Sequence, residues 1–155
     1  MMAANTGTDT TGNADTAADD ALNLLIIEDE ALVAMLVEDA LTLHGHRVIG
    51  IADTVAAALS LAEADRPDLA LCDVKLADGD SGLTAAQLLA DRGIPCIFLS
   101  GNCPERGGHP LVIGCIAKPF RAGTLGAAVR AAYCAAQGDR PADPPAALKF
   151  YREGC

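Results

Sequence analysis

Five side chains able to hold a cation or steer a phosphoryl group each stand just past a short apolar run. Glu28 and Asp29 follow Leu24-Leu25-Ile26-Ile27, Asp73 follows Leu69-Ala70-Leu71-Cys72, Ser100 closes the run from Ile94 to Leu99, and Lys118 follows the run from Val112 to Ala117. Short continuous apolar runs are the pattern of strands buried on both faces. Parallel sheets place their ligand sites outside the carboxyl ends of such strands. Neighbouring strands would therefore bring several carboxylates, a hydroxyl and an ammonium together. Crowded carboxylates raise one another's pKa, and a hard divalent cation with oxygen ligands, Mg²⁺ or Mn²⁺, relieves that crowding. In such a cluster Asp73 is the nucleophile on phosphorus, giving an aspartyl phosphate. Asp29 with Glu28 would hold the metal, Lys118 would pair with a phosphoryl oxygen, and the Ser100 hydroxyl would donate to another. Phosphoryl transfer asks for little beyond positioning and charge neutralisation. Singly, each residue has an ordinary structural explanation: an Asp after a strand caps or turns, Glu28-Asp29-Glu30 begins a helix, and Lys118-Pro119-Phe120 makes a turn. Their occurrence at four strand ends in order is the distinguishing feature.

The elements that must position these residues alternate. After the first strand, Leu32, Leu36, Ala40 and Leu43 recur at helical spacing from Ala31 to Leu43, and Gly45 ends that helix. Arg47 to Ala52 reads as a strand, and Thr54 to Ala64 as a helix capped by Asp53 or Thr54. Arg66-Pro67-Asp68 breaks it ahead of the third strand. Ser81 caps a helix to Asp91, closed by Gly93, and Ala122 to Ala136 forms the last helix. Strands alternating with helices imply an α/β fold, a five-stranded parallel sheet doubly wound by right-handed crossovers. One helix is missing. Gly101, Pro104, Gly107, Gly108 and Pro110 leave no room for more than a turn between the fourth and fifth strands, so a loop is expected to replace the fourth helix.

Residues 1–21, rich in Thr, Ala, Asp and Gly, read as a disordered acidic tail, 22–136 as the folded domain, and 137–155 as a disordered C-terminal tail broken by Gly138, Pro141, Pro144 and Pro145. In that tail the cluster Leu148-Lys149-Phe150-Tyr151 is too short to fold alone. The net charge of −10 contains no basic stripe, which disfavours a nucleic-acid partner. No apolar run reaches membrane-spanning length and no basic-then-apolar leader opens the chain, so a cytoplasmic location away from membranes is expected. With 3% aromatic residues the core must be aliphatic. Cys72, Cys96 and Cys115 fall in apolar runs and read as small hydrophobes. Cys103 and Cys155 read as exposed thiols, and His44, His46 and His109 as surface histidines without ligand spacing.

The four strand-end motifs, Leu24 to Glu30, Leu71-Cys72-Asp73-Val74, Leu99-Ser100-Gly101 and Ala117-Lys118-Pro119-Phe120, together resemble the receiver domain of two-component response regulators. The resemblance covers about Leu22 to Ala136. It implies a flavodoxin-like fold, Glu28 and Asp29 as the acidic metal pair, Asp73 as phosphoacceptor, Ser100 as switch hydroxyl and Lys118 as active-site lysine. It also implies the backbone carbonyl of Lys75 as a further metal ligand, and a sensor histidine kinase as phosphodonor. The stretch Ile94 to Gly101 with its helix-poor loop further resembles the single-domain FAT GUY subgroup, which tends to work with histidine kinases of the HWE type as phosphate sink, shuttle or partner-binding switch. Cys115 stands where that family usually carries its switch aromatic. Two rivals remain. One is a degenerate receiver serving as a non-phosphorylated scaffold for an unknown downstream protein. The other is an aspartyl phosphatase, disfavoured because Lys75 occupies the place of its second acid; no turnover of an added phosphoester, and hence no conventional enzyme activity, is expected.

Overall fold

A computed structural model describes residues 21–141 and 145–151. The expected tail 1–21 lies, but for Ala21, outside the described residues, as does Cys155. The elements run β1 (Asn23–Ile27), α1 (Ala31–Leu43), β2 (Arg47–Ala52), α2 (Val55–Ala64), β3 (Leu69–Asp73), α3 (Gly82–Asp91), β4 (Cys96–Ser100), β5 (Val112–Ala117), α4 (Ala122–Ala136) and β6 (Leu148–Phe150).

The sheet order is β2-β1-β3-β4-β5-β6, and the first five strands are parallel. Alternation along each central strand feeds two cores. Leu24, Ile26, Leu69, Leu71, Ile97 and Leu99 pack beneath α1 and α4. Leu25, Ile27, Ala70, Cys72, Cys96 and Phe98 pack beneath α2 and α3 on the other face. Leu24 to Ile27 are at most 1% exposed, and burying each such side chain stabilises the fold by about 1.5–3 kcal/mol. The strand order reverses direction between β1 and β3, the two strands that end in Glu28-Asp29 and Asp73. That reversal opens a crevice at their carboxyl ends.

The local signals hold at the caps. Thr54 Oγ1 accepts from Ala57 N, Ser81 Oγ accepts from Leu83 N, and Gly45 and Gly93 take the left-handed conformation at φ 87° and 84°. The segment between Ser100 and Val112 contains no helix, as its glycines and prolines require.

Four expectations are corrected. The C-terminal segment is not without structure: β6 joins the sheet antiparallel to β5, pairing Gly114 with Phe150, Cys115 with Lys149 and Ile116 with Leu148. Three residues cannot make a strand alone, but an open edge supplies their hydrogen-bond partners. Gly114 permits the approach, since a Cβ there would run into the Lys149 carbonyl. Tyr151, next in line, is buried. Second, α1 buries Ala34, Val37, Ala40 and Leu41, while Leu32, Leu36 and Leu43 face outward. A helix apolar nearly all round gives no unambiguous stripe, and the face seated in the core carries two alanines together with Val37 and Leu41. Third, His46 is buried, and its Nδ1 accepts from Leu22 N. Fourth, Cys103 and Cys115 form a disulfide, with Cα atoms 6.0 Å apart. A separation of 12 residues carries no pairing signal in sequence; the loop's return to β5 brings them together.

Candidate functional site

The crevice at the strand ends is a cleft of about 610 Å³ whose walls include Asp29, Asp73, Lys75, Ser100, Asn102 and Lys118. Glu28 lies behind this wall, 2% exposed, its backbone N donating to Ala52 O on β2. Carboxylate oxygens of Glu28, Asp29 and Asp73 all lie within 4.8 Å of one another. Lys118, which joins Pro119 through a cis peptide, reaches back across the strand ends. Its Nζ donates to Glu28 Oε1 at 3.0 Å and to Asp73 Oδ2 at 3.1 Å. The other Asp73 oxygen, Oδ1, accepts from Lys75 N at 3.3 Å.

The electrostatics follow from this crowding. Burial and the hydrogen-bonded Asp73 carboxyl push Glu28 up to about 7, against the partial relief that Lys118 and Glu30 N provide. Burial alone would lower the Lys118 ammonium, but its bonds to Glu28 and Asp73 outweigh that and hold its pKa above the usual value. Two acids, Glu28 and Asp73, thus share one ammonium, with the Asp29 carboxylate beside them. Oxygen donors of this number and spacing fit a hard divalent cation.

Ser100, 7% exposed, sits at the end of β4, and its Oγ accepts from Asn102 N at 3.1 Å. The same residue's carbonyl accepts from Lys118 N at 2.8 Å, which ties the ends of β4 and β5 together. All six residues singled out in the sequence, Glu28, Asp29, Asp73, Lys75, Ser100 and Lys118, therefore meet at one edge of the sheet.

The chain matches the family model "Response regulator receiver domain" over residues 24–130. It belongs to the receiver family. Among curated proteins it is 45% identical over 118 residues to the phyllosphere-induced regulator PhyR of Methylorubrum extorquens, covering 73% of this chain and 44% of that protein. The crystal structure of the response regulator PhyR from Brucella abortus superposes with a TM-score of 0.61 at 36% identity, over 77% of this chain and 51% of that one. The PhyR of Bartonella quintana, in a co-crystal structure that names it an anti-anti-sigma factor complexed with the anti-sigma factor NepR, superposes with a TM-score of 0.50 at 37% identity, over 54% of this chain and 35% of that one. The chain thus spans about half the length of these relatives, or less.

Two features of this receiver site escaped sequence reasoning. Gly82 starts α3 against the end of β3: its N donates to Val74 O at 2.7 Å, and a Cβ there would collide with the Asp73 carbonyl oxygen. The only hint in sequence was a glycine just inside a capped helix, a poor place for one unless space is short. The second is Asn102, whose backbone holds the Ser100 hydroxyl; no side-chain pattern encodes a backbone donor.

Proposed function

We propose that the chain is a phosphorylation switch that accepts a phosphoryl group on Asp73 from a histidine kinase in a Mg²⁺- or Mn²⁺-dependent reaction. The convergence of Glu28, Asp29 and Asp73 within 4.8 Å, bridged by Lys118, carries this reading. Glu28, Asp29, Asp73 and the backbone carbonyl of Lys75 would hold the metal, which when bound neutralises charge on the phosphoryl oxygens. An Asp73 oxygen attacks phosphorus; the phosphorus–nitrogen bond to the kinase histidine breaks as the phosphorus–oxygen bond forms. Lys118, already against Asp73 Oδ2, pairs with one phosphoryl oxygen. The Ser100 hydroxyl, which accepts from Asn102 N in the unphosphorylated chain, turns to donate its proton to another. The phosphorylated form then signals by protein binding or passes the group on, as sink or shuttle. In this reading the chain catalyses its own phosphorylation and dephosphorylation without turning over an external substrate.

A cytoplasmic site of action fits this donor; among the described residues no helix is long and apolar enough to cross a membrane. The NepR contact named for the Bartonella relative is not carried over, because the matched region covers 35% of that protein. The scaffold reading would leave the Lys118 bridge and the acid cluster without a use. Incubation with acetyl phosphate and Mg²⁺ tests the proposal. Acid-labile, hydroxylamine-sensitive labelling is expected in the parent chain and lost in Asp73→Asn; undiminished labelling of the variant would overturn the assignment.

A further inference from the structure

The disulfide occupies a position from which it can govern the site. Cys115 is fully buried in the middle of β5, in register with Phe98 on one side and with Lys149 of β6 on the other. Cys103 is half-buried, three residues past Ser100, in the helix-free loop. The bond therefore fastens the beginning of that loop to the sheet. Pro104, the next residue, receives through its carbonyl a hydrogen bond of 2.7 Å from the Tyr151 hydroxyl. Tyr151 N in turn donates to Ile113 O on β5, and its ring meets Phe98 edge-on with centroids 6.4 Å apart. The covalent link thus fastens the loop that carries the Asn102 amide engaging the Ser100 hydroxyl, and through the Tyr151–Pro104 hydrogen bond that loop braces the C-terminal strand, which also has its own ladder to β5. The remaining described cysteines, Cys72, Cys96 and Cys134, are unpaired.

We propose that Cys103 and Cys115 are a reversible redox modification site: closed, the bond locks the loop and the C-terminal strand; open, it frees both and lets Ser100 turn to the phosphoryl site. The effect on Asp73 rests on the phosphoacceptor reading above. In the cytoplasm, where thiols are kept reduced, a disulfide is ordinarily transient, so the open form is the resting one there. Opening begins at the accessible sulfur. A thiolate attacks Cys103 Sγ, the bond to Cys115 breaks, and Cys115 leaves as a thiolate that takes up a proton. A second thiol then attacks the mixed disulfide and releases Cys103 as a thiol. The balance is two thiols oxidised to one small disulfide while the protein disulfide takes two electrons and two protons. Closing is the reverse, with a low-molecular-weight disulfide as oxidant.

The test compares the full chain with itself in dithiothreitol buffers of graded oxidised-to-reduced ratio. Alkylation and intact mass should show Cys103 and Cys115 titrating together as one two-electron step, absent from Cys103→Ser. Hydrogen exchange in residues 101–111 and 148–151 should be at least tenfold faster in the reduced chain, with β1 and β3 unchanged, and Cys103→Ser should exchange like the reduced chain in both buffers. Labelling of Asp73 by acetyl phosphate should be at least threefold faster in the reduced chain. Failure of the pair to close in any buffer, or exchange independent of redox state, overturns the latch. Altered exchange with equal labelling overturns its control of Asp73. Absence of labelling in both states strikes the phosphoacceptor reading instead, while exchange still decides the latch.

Discussion

Replacing Glu28 by glutamine should make the metal-free chain less sensitive to pH, and the size of the effect follows from the site. Unfolded, Glu28 ionises near 4.5; folded, burial and the neighbouring Asp73 raise this to about 7. Between those values the folded chain keeps a proton that the unfolded chain has lost, so stability falls as pH rises through the window. Each pKa unit corresponds to about 1.36 kcal/mol. The span from 4.5 to about 7 therefore amounts to about 3 kcal/mol, present below pH 4.5 and lost by about pH 7. For a chain of this length that corresponds to roughly 6–12 °C in Tm. Glutamine keeps the shape and cannot ionise. Urea unfolding in EDTA, run at intervals across the window for parent and Glu28→Gln, reads the group as the difference between the two curves, together with the change it imposes on its bonded neighbours Asp73 and Lys118, while distant carboxylates cancel. The parent should lose stability relative to the variant by about 3 kcal/mol as pH rises. A difference that is flat with pH would refute the claim that Glu28 is destabilised when ionised.

Three further outcomes are expected. Mg²⁺ at about 100 times its Kd should stabilise the parent by about 2.7 kcal/mol, since it binds only the folded site, and Asp29→Ala should lose most of that gain in thermal melts. Gly82→Ala should cost roughly 3 kcal/mol in urea unfolding through overpacking against the Asp73 carbonyl, and should slow Asp73 labelling. Tyr151→Ala should cost about 3 kcal/mol for the lost ring, whereas Tyr151→Phe should cost only about 1 kcal/mol for the hydrogen bond to Pro104; equal losses would show that the ring contributes nothing.

Which parts of the molecule were legible in the sequence has a physical explanation. The strand runs, Ser81, Thr54 and Gly45 act through near neighbours, so their meaning survives without coordinates. The site was legible because an alternating α/β chain delivers the ends of its parallel strands to one edge, and Glu28, Asp29, Asp73, Ser100 and Lys118 each stand at such an end. What could not be read depends on distant chain. Leu148 to Phe150 become a strand only because β5 is an open edge with Gly114 in it. Cys103 meets Cys115 only because the loop lacks a helix and turns back across β5. The α1 face was misread because Leu32, Leu36 and Leu43 carry the same apolar character as the buried Val37 and Leu41, and close contact with the sheet decided between them.

The docked C-terminal strand has an optical consequence. The chain has no tryptophan and two tyrosines, Tyr133 on α4 and Tyr151 beyond β6. With Tyr133→Phe, Tyr151 becomes the sole strong near-ultraviolet chromophore. It is held edge-on against Phe98, and burial raises its phenol to about 12. Its ionisation at alkaline pH would therefore report the seating of the last strand, so attachment of that segment can be followed in real time without a label.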